Sequence, residues 1–166
     1  MKVKDEQYNW LAEQVYWVDK LKTDKDYTPE ANKTYPFNPK KRDLGNFKVV
    51  EVKDNTSNGM QAMAVAPMDK SGNVDYSHVV IAYAGTNKDD QLDIQTDIQS
   101  IGFGDRRMLS DLETKTFRKS QFQTALGFAE EIEKTYPSAK ITTAGHSLGE
   151  SLTMYVALKR GYANVN

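Results

Sequence analysis

Between residues 5 and 22 apolar side chains recur at helical spacing. Tyr8, Leu11, Val15, Val18 and Leu21 are separated by Glu, Gln, Asp and Lys, a pattern that predicts an amphipathic helix flanked by Trp10 and Trp17. Such a stripe packs a helix onto its own sheet, and the same stripe can serve as a partner surface. A polar, proline-containing loop is expected from there to about Arg42. The pattern then changes period. Phe47–Val52 and Met60–Ala66 read as strands joined by the turn Asn55-Thr56-Ser57-Asn58-Gly59. A second turn, Asp69-Lys70-Ser71-Gly72-Asn73, leads into His78–Ala84, which is almost continuously apolar, as a strand covered on both faces should be.

Periodicity returns to that of helices in the second half. Gln91–Ile101 carries Leu92, Ile94, Ile98 and Ile101 among Asp and Gln, a weak helix signal, and residues 102–119 are irregular. Phe122, Ala125, Leu126, Ala129, Ile132 and Tyr136 mark a long helix closed by Pro137. Ile141–Ala144 reads as a strand and Ser147–Arg160 as the helix after it, with Leu152, Tyr155 and Val156 inward and Gly161 as C-cap. A helix between two strands implies a parallel crossover. The expected fold class is therefore α/β, a single domain over 1–166 with its core at 45–160. No repeat or low-complexity tract interrupts it.

Composition narrows the chemistry. With 166 residues, 39% hydrophobic and 27% charged, the chain is long enough for one packed domain. A net charge of −1 with interspersed signs leaves no electrostatic footprint for nucleic acid; Lys40-Lys41-Arg42 reads as a solvated loop. The sequence contains no cysteine, so thiolate metal sites and cysteine nucleophiles are excluded. His78 and His146 are the two histidines and do not by themselves suggest a metal centre. No cofactor is expected. No apolar h-region follows the basic N-terminus, so no ordinary signal peptide is expected, and no apolar run approaches the ~20 residues of a membrane span. Localisation is left open between the cytoplasm and export by a non-classical route.

The most specific motif is Ala144-Gly145-His146-Ser147-Leu148-Gly149. Gly-x-Ser-x-Gly between a strand and a helix is the context in which a serine is held on a strained turn as an exposed nucleophile. The glycines are needed where strand and helix converge. The helix N-terminus favours developing negative charge beside Ser147, and the Leu148 N–H is the expected first oxyanion donor. Ala84-Gly85-Thr86-Asn87 lies at the carboxyl end of the expected central strand, where open α/β sheets bind ligands. It can supply a second donor, or be a plain turn.

Val80-Ile81-Ala82-Tyr83-Ala84-Gly85-Thr86, the Asp-containing segment Gln95-Thr96-Asp97-Ile98, the helix Phe122–Tyr136 and the Gly-His-Ser-Leu-Gly elbow together resemble the class 3 lipases, the fungal-lipase-like branch of the α/β-hydrolases. Ala84 stands where that family usually carries a basic residue, and Glu150 replaces a common second glycine. The resemblance spans about residues 45–160, roughly the N-terminal half to two thirds of the family's catalytic domain. It implies an α/β-hydrolase-like, mixed and mostly parallel sheet flanked by helices, ending after the elbow helix. It further implies Ser147 as nucleophile, Thr86 and Leu148 as the oxyanion hole, and hydrolysis of lipid or small carboxylic esters through an acyl-serine. Gly102–Ser110 is then either a lid or a surface loop.

In this fold the triad order is Ser, then Asp or Glu, then His. After Ser147 the sequence holds one acidic residue, Glu150, and no histidine. His78 is expected at the far end of its strand and His146 as a packed structural side chain. A serine without a base is weakly nucleophilic, so this chain alone is expected to be incomplete or inactive. Three readings follow. The chain is the N-terminal piece of a longer hydrolase; a second polypeptide supplies the remaining strands, Asp and His; or it is a non-catalytic, lipase-like interaction module acting through its sheet edge or the 5–22 helix, a reading that predicts a homo-oligomer. The strand at 140–144 is expected to be a bare edge.

Overall fold

A computed structural model describes residues 2–21, 24–55, 59–84 and 116–165. The turn Gly85-Thr86-Asn87, the weak helix 91–101 and the segment Gly102–Ser110 lie outside the described residues. The first helix, α1 (Asp5–Gln14), tightens into a 3₁₀ turn over Val15–Val18. The strands are β1 (Thr34–Pro36), β2 (Asn46–Asn55), β3 (Met60–Pro67) and β4 (His78–Ala84). Helix α2 (Thr116–Thr135), strand β5 (Lys140–Gly145), helix α3 (Leu148–Arg160) and strand β6 (Ala163–Val165) complete the described fold.

The architecture is a mixed α/β fold whose described strands form one open sheet of six in the order β1-β2-β3-β4-β5-β6. Three neighbouring pairs are antiparallel, β1–β2, β2–β3 and β3–β4, and two are parallel, β4–β5 and β5–β6. The expectation of a mostly parallel sheet is therefore corrected to mostly antiparallel. The reason is connection length: a tight turn can only reverse the chain, whereas a parallel neighbour needs a crossover of a dozen residues or more. Such crossovers occur only where α2 and α3 stand between strands.

Two strands escape the hydrophobic pattern. Residues 34–36 sit within the expected loop but pair with Asn46–Lys48. β6 pairs Ala163–Val165 with Thr142–Ala144, so β5 is not the bare edge expected. Thr143 Oγ1 also reaches Asn164 Oδ1 at 2.9 Å. Both strands are three residues long, too short to show a period of two.

Alternation along β4 builds a core on each face of the sheet. Val79, Ile81 and Tyr83 join Ala62, Ala64 and Ala66 of β3 under α2 and α3, where Phe122, Phe128, Ile132, Leu152, Tyr155 and Val156 are buried. The β3 alanines leave room for both helices to approach. Val80, Ala82 and Ala84 face the other way with Met63, Val65 and Phe47, under Tyr8, Leu11, Val15 and Val18. In β2 a register shift between Val49 and Glu51 breaks the alternation: Val50 joins the first core, yet Val52, two residues on, packs with Val49 against the second, as a bulge allows.

The 5–22 stripe is real but shorter than expected. Four of its five apolar residues are buried, while Leu21 is 89% exposed. In the 3₁₀ turn residues three apart eclipse, which keeps Val15 and Val18 on one side. The chain then turns extended at Asp19 (ψ 108°), before Leu21 could join them. Among the described residues no helix is long and apolar enough to cross a membrane.

Candidate active site

Ser147 occupies the turn between β5 and α3 with φ 54° and ψ −122°. Among the described residues it and Asn32 are the non-glycine positions with positive φ. That backbone region costs roughly 1–3 kcal/mol and persists only where the surroundings impose it. The imposing contacts can be named. A Cβ on Gly149 would lie 2.1 Å from the Tyr83 carbonyl oxygen; one on Gly145 would lie 2.8 Å from the Gly149 carbonyl carbon and 2.9 Å from Thr153 Cγ2. Only hydrogen fits at either place, so α3 starts in direct contact with the ends of β4 and β5. Thr153 Oγ1 donates to the Glu150 carbonyl at 2.8 Å. The Gly149 N–H reaches the His146 carbonyl at 2.9 Å and the Glu150 N–H that of Ser147 at 3.0 Å.

The Ser147 side chain is exposed and makes no capping hydrogen bond to its own helix. Leu148 begins α3, and the first N–H groups of a helix have no intrahelical acceptor. The parallel register places Tyr83 level with Gly145, so β4 and β5 end side by side at their carboxyl ends. Ala84 Cα would be 3.4 Å from a Cβ on Gly149. Thr86 follows Ala84 by two residues and lies outside the described residues.

The two histidines lie at very different places. His78 is level with Lys140 at the amino end of the parallel pair, five residues before Tyr83. At ~3.3 Å per residue it stands roughly 16 Å from the elbow end of the sheet. It is buried, with Nε2 3.1 Å from Thr142 Oγ1 and 3.4 Å from Tyr8 Oη. His146 adjoins Ser147 and is exposed, which corrects the expectation of a packed side chain. Its carbonyl accepts a hydrogen bond from Tyr16 Oη at 3.0 Å. Burial pushes the Tyr16 phenol pKa up, assisted by the Glu13 carboxylate, so Tyr16 stays protonated and able to donate. This anchor was not visible in the sequence, because Tyr16 falls between core positions Val15 and Val18.

Beneath the elbow, Tyr83 is fully buried and donates to the Ala125 carbonyl of α2 at 2.7 Å. Burial raises its pKa well above the ordinary value, so it is a structural donor. Among the described residues no group of three or more His, Cys, Asp or Glu is placed to hold a metal ion. The chain matches no family model, and no curated protein matches it in sequence.

Proposed function

We propose that the chain carries the nucleophile of a serine hydrolase of the lipase or esterase type, acting on carboxylic esters through an acyl-serine. The observation that carries this reading is the Ser147 backbone, held at positive φ between two glycines that admit no side chain. Strain of this kind needs a purpose, and exposing a hydroxyl at a helix N-terminus provides one. The resemblance to class 3 lipases, and with it an α/β-hydrolase assignment of the mixed sheet, belongs to the same proposal.

In this reading Ser147 Oγ attacks the ester carbonyl, and the new oxyanion is received by the Leu148 N–H and by Thr86. The adjacency of Ala84 to Gly149 supports that pairing, since only Gly85 separates Ala84 from Thr86. The hydroxyl proton must pass to a base. His78 is too distant, and His146 is the immediate neighbour of Ser147 in the turn, where successive side chains point in different directions. An imidazole oriented by a carboxylate is therefore drawn from a second polypeptide or further sequence. The alternative, a non-catalytic module docking through the 5–22 helix, has less support, because the apolar face of that helix is buried in its own core. An interaction through a sheet edge would use β1 or β6.

Exogenous imidazole separates the readings by standing in for the absent base. A fluorophosphonate probe is expected to label the protein faster as imidazole is added, with labelling lost in Ser147→Ala. Equal labelling of the parent and Ser147→Ala, with or without imidazole, would overturn the proposal.

A further inference from the structure

At the amino ends of β4, β5 and β6, opposite the elbow, lies a cavity of about 530 Å³. That is within the ~300–1,000 Å³ range of small-molecule sites. Its polar lining includes Tyr8, His78 and Thr142, which are 6%, 8% and 3% exposed. Their polar atoms form a closed triangle, with Tyr8 Oη 3.2 Å from Thr142 Oγ1 and both hydroxyls near His78 Nε2. Burial raises the Tyr8 pKa, although the hydrogen bond to Thr142 lowers it and Asp5 raises it further, so the phenol keeps its proton.

Proton counting within the triangle has a consequence. When Nε2 carries no hydrogen, both hydroxyl protons can be used inside the triangle. When Nε2 carries a hydrogen it donates to one hydroxyl, that hydroxyl donates to the other, and one O–H proton is left for an acceptor in the cavity.

The rest of the lining says what acceptor suits. Lys2 and Lys140 line the cavity together with Asp5, an excess of one positive charge. Among the described residues neither ammonium forms an ion pair, whereas Lys33 and Lys41 do. Val3 and Val165 supply apolar wall.

We infer that this cavity binds a small organic anion, a carboxylate or phosphate monoester on a short apolar body. Its head group accepts a hydrogen bond from the spare O–H of the Tyr8–Thr142–His78 triangle and is neutralised by Lys2 and Lys140, while its hydrocarbon part lies along Val3 and Val165. The site stands apart from Ser147 and does not depend on the reading of the elbow.

Amide shifts of the isotopically labelled full chain, titrated with hexanoate, hexyl phosphate, hexanol and hexylammonium, test this. Both anions should give saturable shifts at Ser77, His78, Thr142 and Val165 at concentrations up to ~10 mM, the millimolar affinity of a small fragment. The tighter of the two identifies the head group. Lys140→Met and Lys2→Met, both on exposed side chains, should each weaken anion binding by ~10-fold, the ratio of one charge-assisted hydrogen bond. Ser147→Ala should bind as the parent does. Hexanol or hexylammonium binding as tightly as the anions, lysine variants that bind unchanged, or no saturable shift with either anion would overturn the inference.

Discussion

Gly149→Ala tests how the elbow is held. A methyl group there would sit 2.1 Å from the Tyr83 carbonyl oxygen and 3.0 Å from its carbon, where contact distances of ~3.5 Å or more are needed. The obstacle is backbone in the middle of the sheet, so no side chain can rotate away. Helix α3 must instead lift from β4 by ~1.4 Å to restore that distance. Overpacking of this kind costs ~1–3 kcal/mol, and a backbone obstacle places it at the upper end. Alanine would otherwise stabilise a helical position by ~1 kcal/mol over glycine. The expected net loss is ~2 kcal/mol, which lowers the Tm of a chain this size by ~4–8 °C. Gly127 in α2 is the matched control, because a Cβ there meets nothing within 4 Å. Gly127→Ala should therefore raise stability by up to ~1 kcal/mol. Urea midpoints and calorimetry of both variants measure the pair. Shifts of the same sign, or a Gly149→Ala protein as stable as the parent, would refute the wedging of the elbow against β4.

Ser147→Gly should be ~1 kcal/mol more stable than Ser147→Ala, since glycine adopts φ 54° without strain and its larger entropic cost offsets only part of that gain; equal midpoints would remove the strain argument. Tyr83→Phe should lose ~1 kcal/mol by removing the hydrogen bond to the Ala125 carbonyl, which keeps its helical N–H donor, read by calorimetry. Asp69 accepts the backbone N–H groups of Ser71 and Asn73, and hydrogen bonding, that of Asn73 above all, holds its pKa below the ordinary 3.8. A depressed folded-state value means that its stabilisation is fully present above pH 3.8 and fades as pH falls through the lowered value. The gap in urea midpoint between the parent and Asp69→Asn should close on acidification, and a gap constant with pH would count against the turn's role.

Long elements declared themselves in the sequence because burial imposes a period on them. His78–Ala84 and Met60–Ala66 are covered on both faces and read as near-continuous apolar runs; both are strands, at 78–84 and 60–67. The α2 stripe from Phe122 to Ile132 reappears as the buried face of that helix. Boundaries fared less well. Leu21 continued a helical pattern that the chain abandons at Asp19, because tertiary contacts end the helix before the spacing does. β1 and β6 went unseen, since pairing in them is decided by a neighbouring strand.

The candidate site divides in the same way. Its strained serine turn was legible in the sequence because glycine, serine and glycine at that spacing answer a local backbone requirement. The tertiary structure alone decided what presses on those glycines: the Tyr83 carbonyl, which is distant in sequence and excludes even a methyl group. It also decided that Tyr16 anchors the elbow, and that Tyr8, His78 and Thr142 meet beside a cavity. Local conformation is written in neighbouring residues, so the strained turn could be read directly. Contacts between α1, β4 and β5 depend on how separate segments pack, and no local pattern encodes them.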